Sequence, residues 1–190
     1  MQGRTGETWL EGYKKMPTNK GRIHFMNDPS LVRIQTWEYE YAYQVGIRRF
    51  TENWGRRDAS YYDRDKMEED QKAQAAAALC ELAVAKYLNQ YWHASVWRAA
   101  SHRSHKHLAD VGNDIEVRRV RTAKGVTVRK KDEGKRVWGA RCLDKEFRRI
   151  ELLGYIDAND ALKRGSKDIV IVPFEFLKKP WDKGSIDTGA

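Results

Sequence analysis

The chain has 190 residues, enough for one domain with a helical extension, and its 41% hydrophobic and 33% charged residues furnish one core under a heavily charged surface. Its formal net charge of +9 and pI near 9.5 favour an anionic partner, nucleic acid first. No run approaches the roughly 20 apolar residues of a membrane span, the N-terminus lacks an apolar signal core, and Cys80 and Cys142 form neither a metal-ligand spacing nor a disulfide framework, so the expectation is a soluble protein of a reducing cytoplasm.

Residues 1 to about 35 carry Gly, Pro and Asn punctuation, which predicts an irregular arm with little structure of its own. Thr36 to about Asn53 reads as a helix, with Trp37, Tyr41, Val45 and Phe50 near one stripe. Gly55 to Ser60 reads as a loop. A longer helix starts near Asp63, where acidic residues suit a helix N-terminus, and runs to about Tyr91 through an Ala- and Leu-rich middle. From Ala94 the pattern turns to period two. It predicts strands at Ser95 to Ala99, Leu108 to Val111, Ile115 to Thr122, Val126 to Arg129, Val137 to Leu143 and Phe147 to Ile156, with Gly154 a weak point in the last. Asp157 to Lys163 reads as a short helix, Ile169 to Val172 as a final strand, Phe174 to Leu177 as a turn, and the chain from Pro180 as a loose tail. Helices, then strands, then a little helix predict an α+β architecture.

The chemistry concentrates in Asp110-Val-Gly-Asn-Asp-Ile-Glu-Val-Arg118. Strand side chains alternate, so Glu116 and Arg118 share a face and Val117 points the other way. A fold-back at Gly112-Asn113 would bring Asp110 close to Glu116, so that two carboxylates and one cation converge, which suits a divalent metal over a phosphate. Asp114, beside the Gly-Asn pair, reads as a turn residue rather than a ligand. Glu81 lies in an apolar, alanine-rich helical stretch, where it either serves a metal, sits on the wet edge, or pairs with a nearby arginine. Arg119 and Arg121 fall on the face opposite Arg118 and are candidate phosphate contacts, with Arg129, Lys130, Lys131, His105 and Lys106. His102, His105 and His107 form a local cluster, which reads as a basic loop more than as a transition-metal site. Trp92, Trp97 and Trp138 read as core before base-stacking platforms.

The helix Glu81-Leu-Ala-Val-Ala-Lys-Tyr-Leu88 followed by Ala109-Asp-Val-Gly and Ile-Glu-Val-Arg118 resembles the PD-(D/E)XK nuclease superfamily, and within it a group of small bacteriophage proteins. The resemblance extends to Val45-Gly-Ile-Arg48, Val126-Thr-Val-Arg-Lys-Lys-Asp132, Leu153-Gly-Tyr-Ile-Asp157 and Ile171-Val-Pro173, so it covers roughly residues 36 to 180; residues 1–35 and 181–190 lie outside it. It implies a restriction-endonuclease-like fold, a mixed β-sheet flanked by helices. It also implies DNA cleavage by phosphodiester hydrolysis, with Glu81 as the helix glutamate, Asp110 as the first motif aspartate and Glu116 as the second motif acid. These acids, with the Ile115 or Val117 carbonyl, would hold Mg²⁺ or Mn²⁺. Arg118 stands where the superfamily usually carries lysine. Arginine stays protonated and cannot act as a base, though it can orient a water or stabilise charge on phosphate. Lys124 or Lys130 could supply the missing ammonium. The implied setting is phage DNA metabolism in a host cytoplasm, with DNA or RNA as partner and a homodimer as one assembly. The rival readings are a non-catalytic nucleic-acid binder on a nuclease fold and a virion assembly protein.

Overall fold

The computed structural model describes residues 28–54, 67–98, 104–105, 107–121, 124–165 and 168–181. The expected loop at 55–60, Lys106 and His102 lie outside the described residues. Among the described residues the α-helices and strands are, in chain order, β1 (Leu31–Arg33), α1 (Thr36–Trp54), α2 (Met67–Leu88), β2 (Ile115–Arg119), β3 (Val126–Arg129), β4 (Arg136–Cys142), β5 (Arg149–Asp157), α3 (Ala158–Leu162) and β6 (Ile169–Val172). The fold is mixed α+β. Among the described residues no helix is long and apolar enough to cross a membrane.

Helix α1 starts where Glu38 reaches back to accept the Gln35 N–H at 2.7 Å, satisfying a donor that the helix itself leaves unpaired. Its buried stripe is Ala42, Val45 and Phe50; Trp37 and Tyr41, expected on that stripe, are exposed instead. Helix α2 is buried along Ala75, Ala76, Leu79, Ala83 and Val84. Small residues let the two helices come close. A Cβ on Gly46 would stand 2.3 Å from the Ala75 Cα, so only glycine fits that crossing. Lys86 of α2 adds an ion pair with Glu38 at 2.8 Å.

The main sheet has the order β1-β5-β4-β2. Strands β4 and β5 pair antiparallel, as do β1 and β5, whereas β2 runs parallel to β4 with Glu116 beside Val137 and Val117 beside Trp138. One face, carrying Ile115, Val117, Trp138, Ile150 and Leu152, packs on the helices through Leu79, Ala83 and Val84. The other face, with Val137, Leu153 and Ile156, is covered by the small antiparallel pair β3-β6 and by α3.

The structure departs from the sequence reading in two further places. The expected strands at 95–99 and 108–111 are irregular chain over their described residues, with Val111 making only isolated bridges to Trp92 and Ile115. The arm is not structureless throughout, because Leu31–Arg33 forms an edge strand against β5, seated by Val32 in the core.

Candidate functional site

The turn after Asp110 works as its residues dictate. Gly112 takes a φ of +54°, a conformation that suits glycine, and the chain reverses so that the Asp110 and Val111 N–H groups both donate to the Ile115 carbonyl, at 2.9 and 3.1 Å. The Val117 N–H then donates to Asp110 Oδ2 at 2.9 Å. Asp110 is thus fixed beside the start of β2, the strand that carries Glu116 and Arg118. Asp114 faces away and forms a two-point ion pair with Arg136, at 2.9 and 3.1 Å, in keeping with its reading as a turn residue.

Glu116 is 5% exposed and is surrounded by cations. Its Oε1 accepts from Arg118 Nη1 at 3.0 Å and meets Lys131 Nζ at 3.5 Å, while its Oε2 meets Lys135 Nζ at 3.0 Å. Arg118 is held from its other side by the fully buried Asp132, at 2.6 Å. Glu81 pairs with Arg49 of α1 at 2.6 Å and accepts the indole N–H of Trp92 at 2.9 Å. Of the alternatives open from sequence, the arginine pair is therefore the one observed. Both Glu81 oxygens are engaged, one by each partner.

These surroundings drive two neighbouring carboxylates apart. Burial, then the charges of Glu81 and Glu116, push the Asp110 carboxyl up to about 8, against the Val117 N–H and Arg49. Burial also works against ionised Glu116, but Arg118 and Lys131, with hydrogen bonds from Arg118 and Lys135, hold its carboxyl below the usual range. Near neutral pH the site thus contains one protonated acid and one carboxylate. Paired acids with opposed shifts are a recurring arrangement at functional sites.

Asp110 and Glu116 open onto a cavity of about 210 Å³, also lined by Arg49, Trp97, His105 and Lys131. Trp97 stacks flat on His105, ring centroids 3.9 Å apart, forming one wall. His107 is exposed. Among the described residues no three His, Cys, Asp or Glu side chains stand as a ready metal cluster. Mg²⁺ is commonly held by one or two carboxylates plus substrate phosphate and water, and the hard oxygens of Asp110 and Glu116 fit that mode.

The expected phosphate contacts separate. Lys131 lines the cavity, and Arg121, Arg129 and Lys130 are exposed, as is Lys124, weighed above only as a substitute for the motif lysine. Arg119 turns back to α2, donating to the Ala73 carbonyl at 3.4 Å beneath the Phe147 ring. Trp92 and Trp138 are buried, as expected of core residues, whereas Trp97 lines the cavity. Sequence reasoning missed Lys135, Asp132 and Arg49. The signal for Lys135 is its position two residues before Val137, which the parallel register sets beside Glu116; without that register its proximity is invisible. Comparison with protein-family models, with curated proteins and with solved structures gives no match to the chain.

Proposed function

We propose that the protein is a divalent-cation-dependent nuclease that hydrolyses phosphodiester bonds in DNA. The observation that carries this reading is the meeting of Asp110 and Glu116 at one cavity, with Arg118, Lys131 and Lys135 gathered on the same carboxylate. Carboxylates suit a cation, and the cations around them suit a phosphate. Asp110 and Glu116 would hold Mg²⁺ or Mn²⁺, which when bound lowers the pKa of a water and offsets charge on the scissile phosphate. Lys135 takes the place that the superfamily resemblance gives to the lysine two residues after Glu116, where this chain has arginine. Lys135 also donates to the Leu108 carbonyl at 3.3 Å, so its ammonium is anchored within the site. Arg118, clamped by Asp132, presents a fixed guanidinium that supports Glu116 and a nearby phosphate oxygen. Arg49 and Trp92 keep Glu81 in place; burial and then the charge of Glu81 raise the Asp110 carboxyl, and a cation bound there would have to displace its proton.

The test is incubation with plasmid, linear duplex and single-stranded DNA in Mg²⁺, Mn²⁺ or EDTA, beside Glu116→Gln. Cleavage that requires metal and is lost in the variant supports the proposal and names the substrate class. A second reading, a nucleic-acid binder that does not cut, is favoured by the engagement of both Glu116 oxygens by the protein's own cations. Salt-sensitive DNA binding without cleavage, unchanged in Glu116→Gln, would decide for that reading.

A further inference from the structure

Cys80 of α2 and Cys142 at the end of β4 are both thiols, and their sulfurs are 4.0 Å apart. A disulfide needs about 2 Å, so the two sulfurs, already in contact, have a further approach of about 2 Å to make. The two positions are 62 residues apart in the chain. Asp110, Glu116, Arg118, Lys131 and Lys135 all fall between them. Position and contact, not spacing in the sequence, single out this pair.

We propose that Cys80 and Cys142 are a redox-modification site that closes to an intramolecular disulfide under a peroxide oxidant, tying α2 to β4. Access is asymmetric. Cys80 is fully buried and Cys142 is half-exposed, so the oxidant meets Cys142 first. The hydrogen bond from Cys80, then the positive charge of Arg119, holds the Cys142 thiol below its usual range, favouring the nucleophilic thiolate. The Cys142 thiolate attacks one peroxide oxygen and the O–O bond breaks, giving a sulfenic acid and hydroxide. The Cys80 sulfur then attacks the Cys142 sulfur. The S–S bond forms, the S–OH bond breaks, and the Cys80 proton leaves with the departing hydroxide as water. In sum two thiols are oxidised and one hydrogen peroxide is reduced to two waters. This chemistry does not depend on the nuclease reading.

The experiment treats the full chain with hydrogen peroxide and compares it with the dithiothreitol-reduced chain and with Cys142→Ser and Cys80→Ala. The expected result is loss of both titratable thiols without a dimer on a non-reducing gel, and a proteolytic peptide joining Cys80 to Cys142. The melting temperature should rise by about 10 °C, because closing a loop of this length restricts the unfolded chain. Dithiothreitol should reverse each change, and neither variant should show the rise. Retention of both thiols, over-oxidation of Cys142 with Cys80 still reduced, or a rise that persists in either variant would overturn the proposal.

Discussion

Replacing Asp110 by Asn tests the electrostatics of the site most directly. Burial and the charges of Glu81 and Glu116 raise this carboxyl from 3.8 to about 8. Between those values the folded chain keeps the Asp110 proton and the unfolded chain has lost it. Stability from protonated Asp110 is therefore fully present below pH 3.8 and is lost as pH rises through about 8. At 1.36 kcal/mol per unit, about four units set a ceiling of roughly 6 kcal/mol. Contact with solvent and relaxation of the neighbours screen this to about 2–3 kcal/mol. Asn has the same shape, its amide oxygen still accepts the Val117 N–H, and it does not titrate. Asp110→Asn should thus melt close to the native chain at about pH 5 and about 5–10 °C above it at about pH 9, read by circular dichroism. On the proposed reading, added MgCl₂ should narrow the gap at high pH by stabilising the native chain alone, since the cation offsets the charge of ionised Asp110. Melting curves that run parallel across the pH range, or a variant less stable throughout, would refute the reasoning.

Three further outcomes follow from single contacts. On the proposed reading, Lys135→Ala should lower kcat for DNA cleavage about a hundredfold with little change in KM, while Lys135→Arg retains part of the rate; steady-state kinetics decide it. Gly46→Ala should destabilise the fold by about 3 kcal/mol in urea unfolding despite alanine's better helix propensity, because the added carbon meets the α2 backbone; a change below about 0.5 kcal/mol would mean the helices are not in contact there. Glu81→Ala should cost about 3–5 kcal/mol, since it strands the Arg49 charge and the Trp92 N–H, whereas Glu81→Gln should cost less and lower the titration point of Asp110 in carbon-detected NMR.

Local pattern made much of this fold legible. Val126 to Arg129 and Ile169 to Val172 read as strands from alternation and apolar runs, and they are β3 and β6. The first helix is marked by its periodicity, and the second by its acidic start, its Ala- and Leu-rich middle and the three-to-four spacing of Leu79, Leu82, Ala83, Lys86 and Tyr87. What failed was short or non-local. Ser95 to Ala99 alternates like a strand, but its Ser95 carbonyl accepts from Arg49 and its Trp97 faces the cavity, so the pattern reflects a wall of the site and not a ladder. Leu31–Arg33 is too short to announce itself, and only the distant β5 makes it a strand.

The candidate site divides in the same way. Asp110, Glu116 and Arg118 come together because one tight turn and one period-two strand place them, and both are local. Lys135 and Asp132 reach them through the parallel pairing of β2 with β4 and the turn before it, which no local spacing encodes. Arg49 arrives through the packing of α1 on α2 and depends on Gly46 three residues earlier in the same helix.

Three cations meet on Glu116, and only Arg118 is shared with another acid, Asp132. Glu116 alone cannot neutralise the group, so it retains positive charge at the mouth of a cavity whose other acid, Asp110, is protonated near neutral pH. On the proposed reading this is a resting state balanced for an anion. Lys131 is the most exposed of the three and has the longest contact, 3.5 Å, so it is the first to turn from Glu116 to an arriving phosphate. Its departure removes one positive charge from Glu116 Oε1, while Arg118 stays on that oxygen and Lys135 on Oε2. Phosphate and cation binding are then coupled through one carboxylate: each arrival removes a charge that opposed the other, and cation affinity should rise when nucleic acid is present.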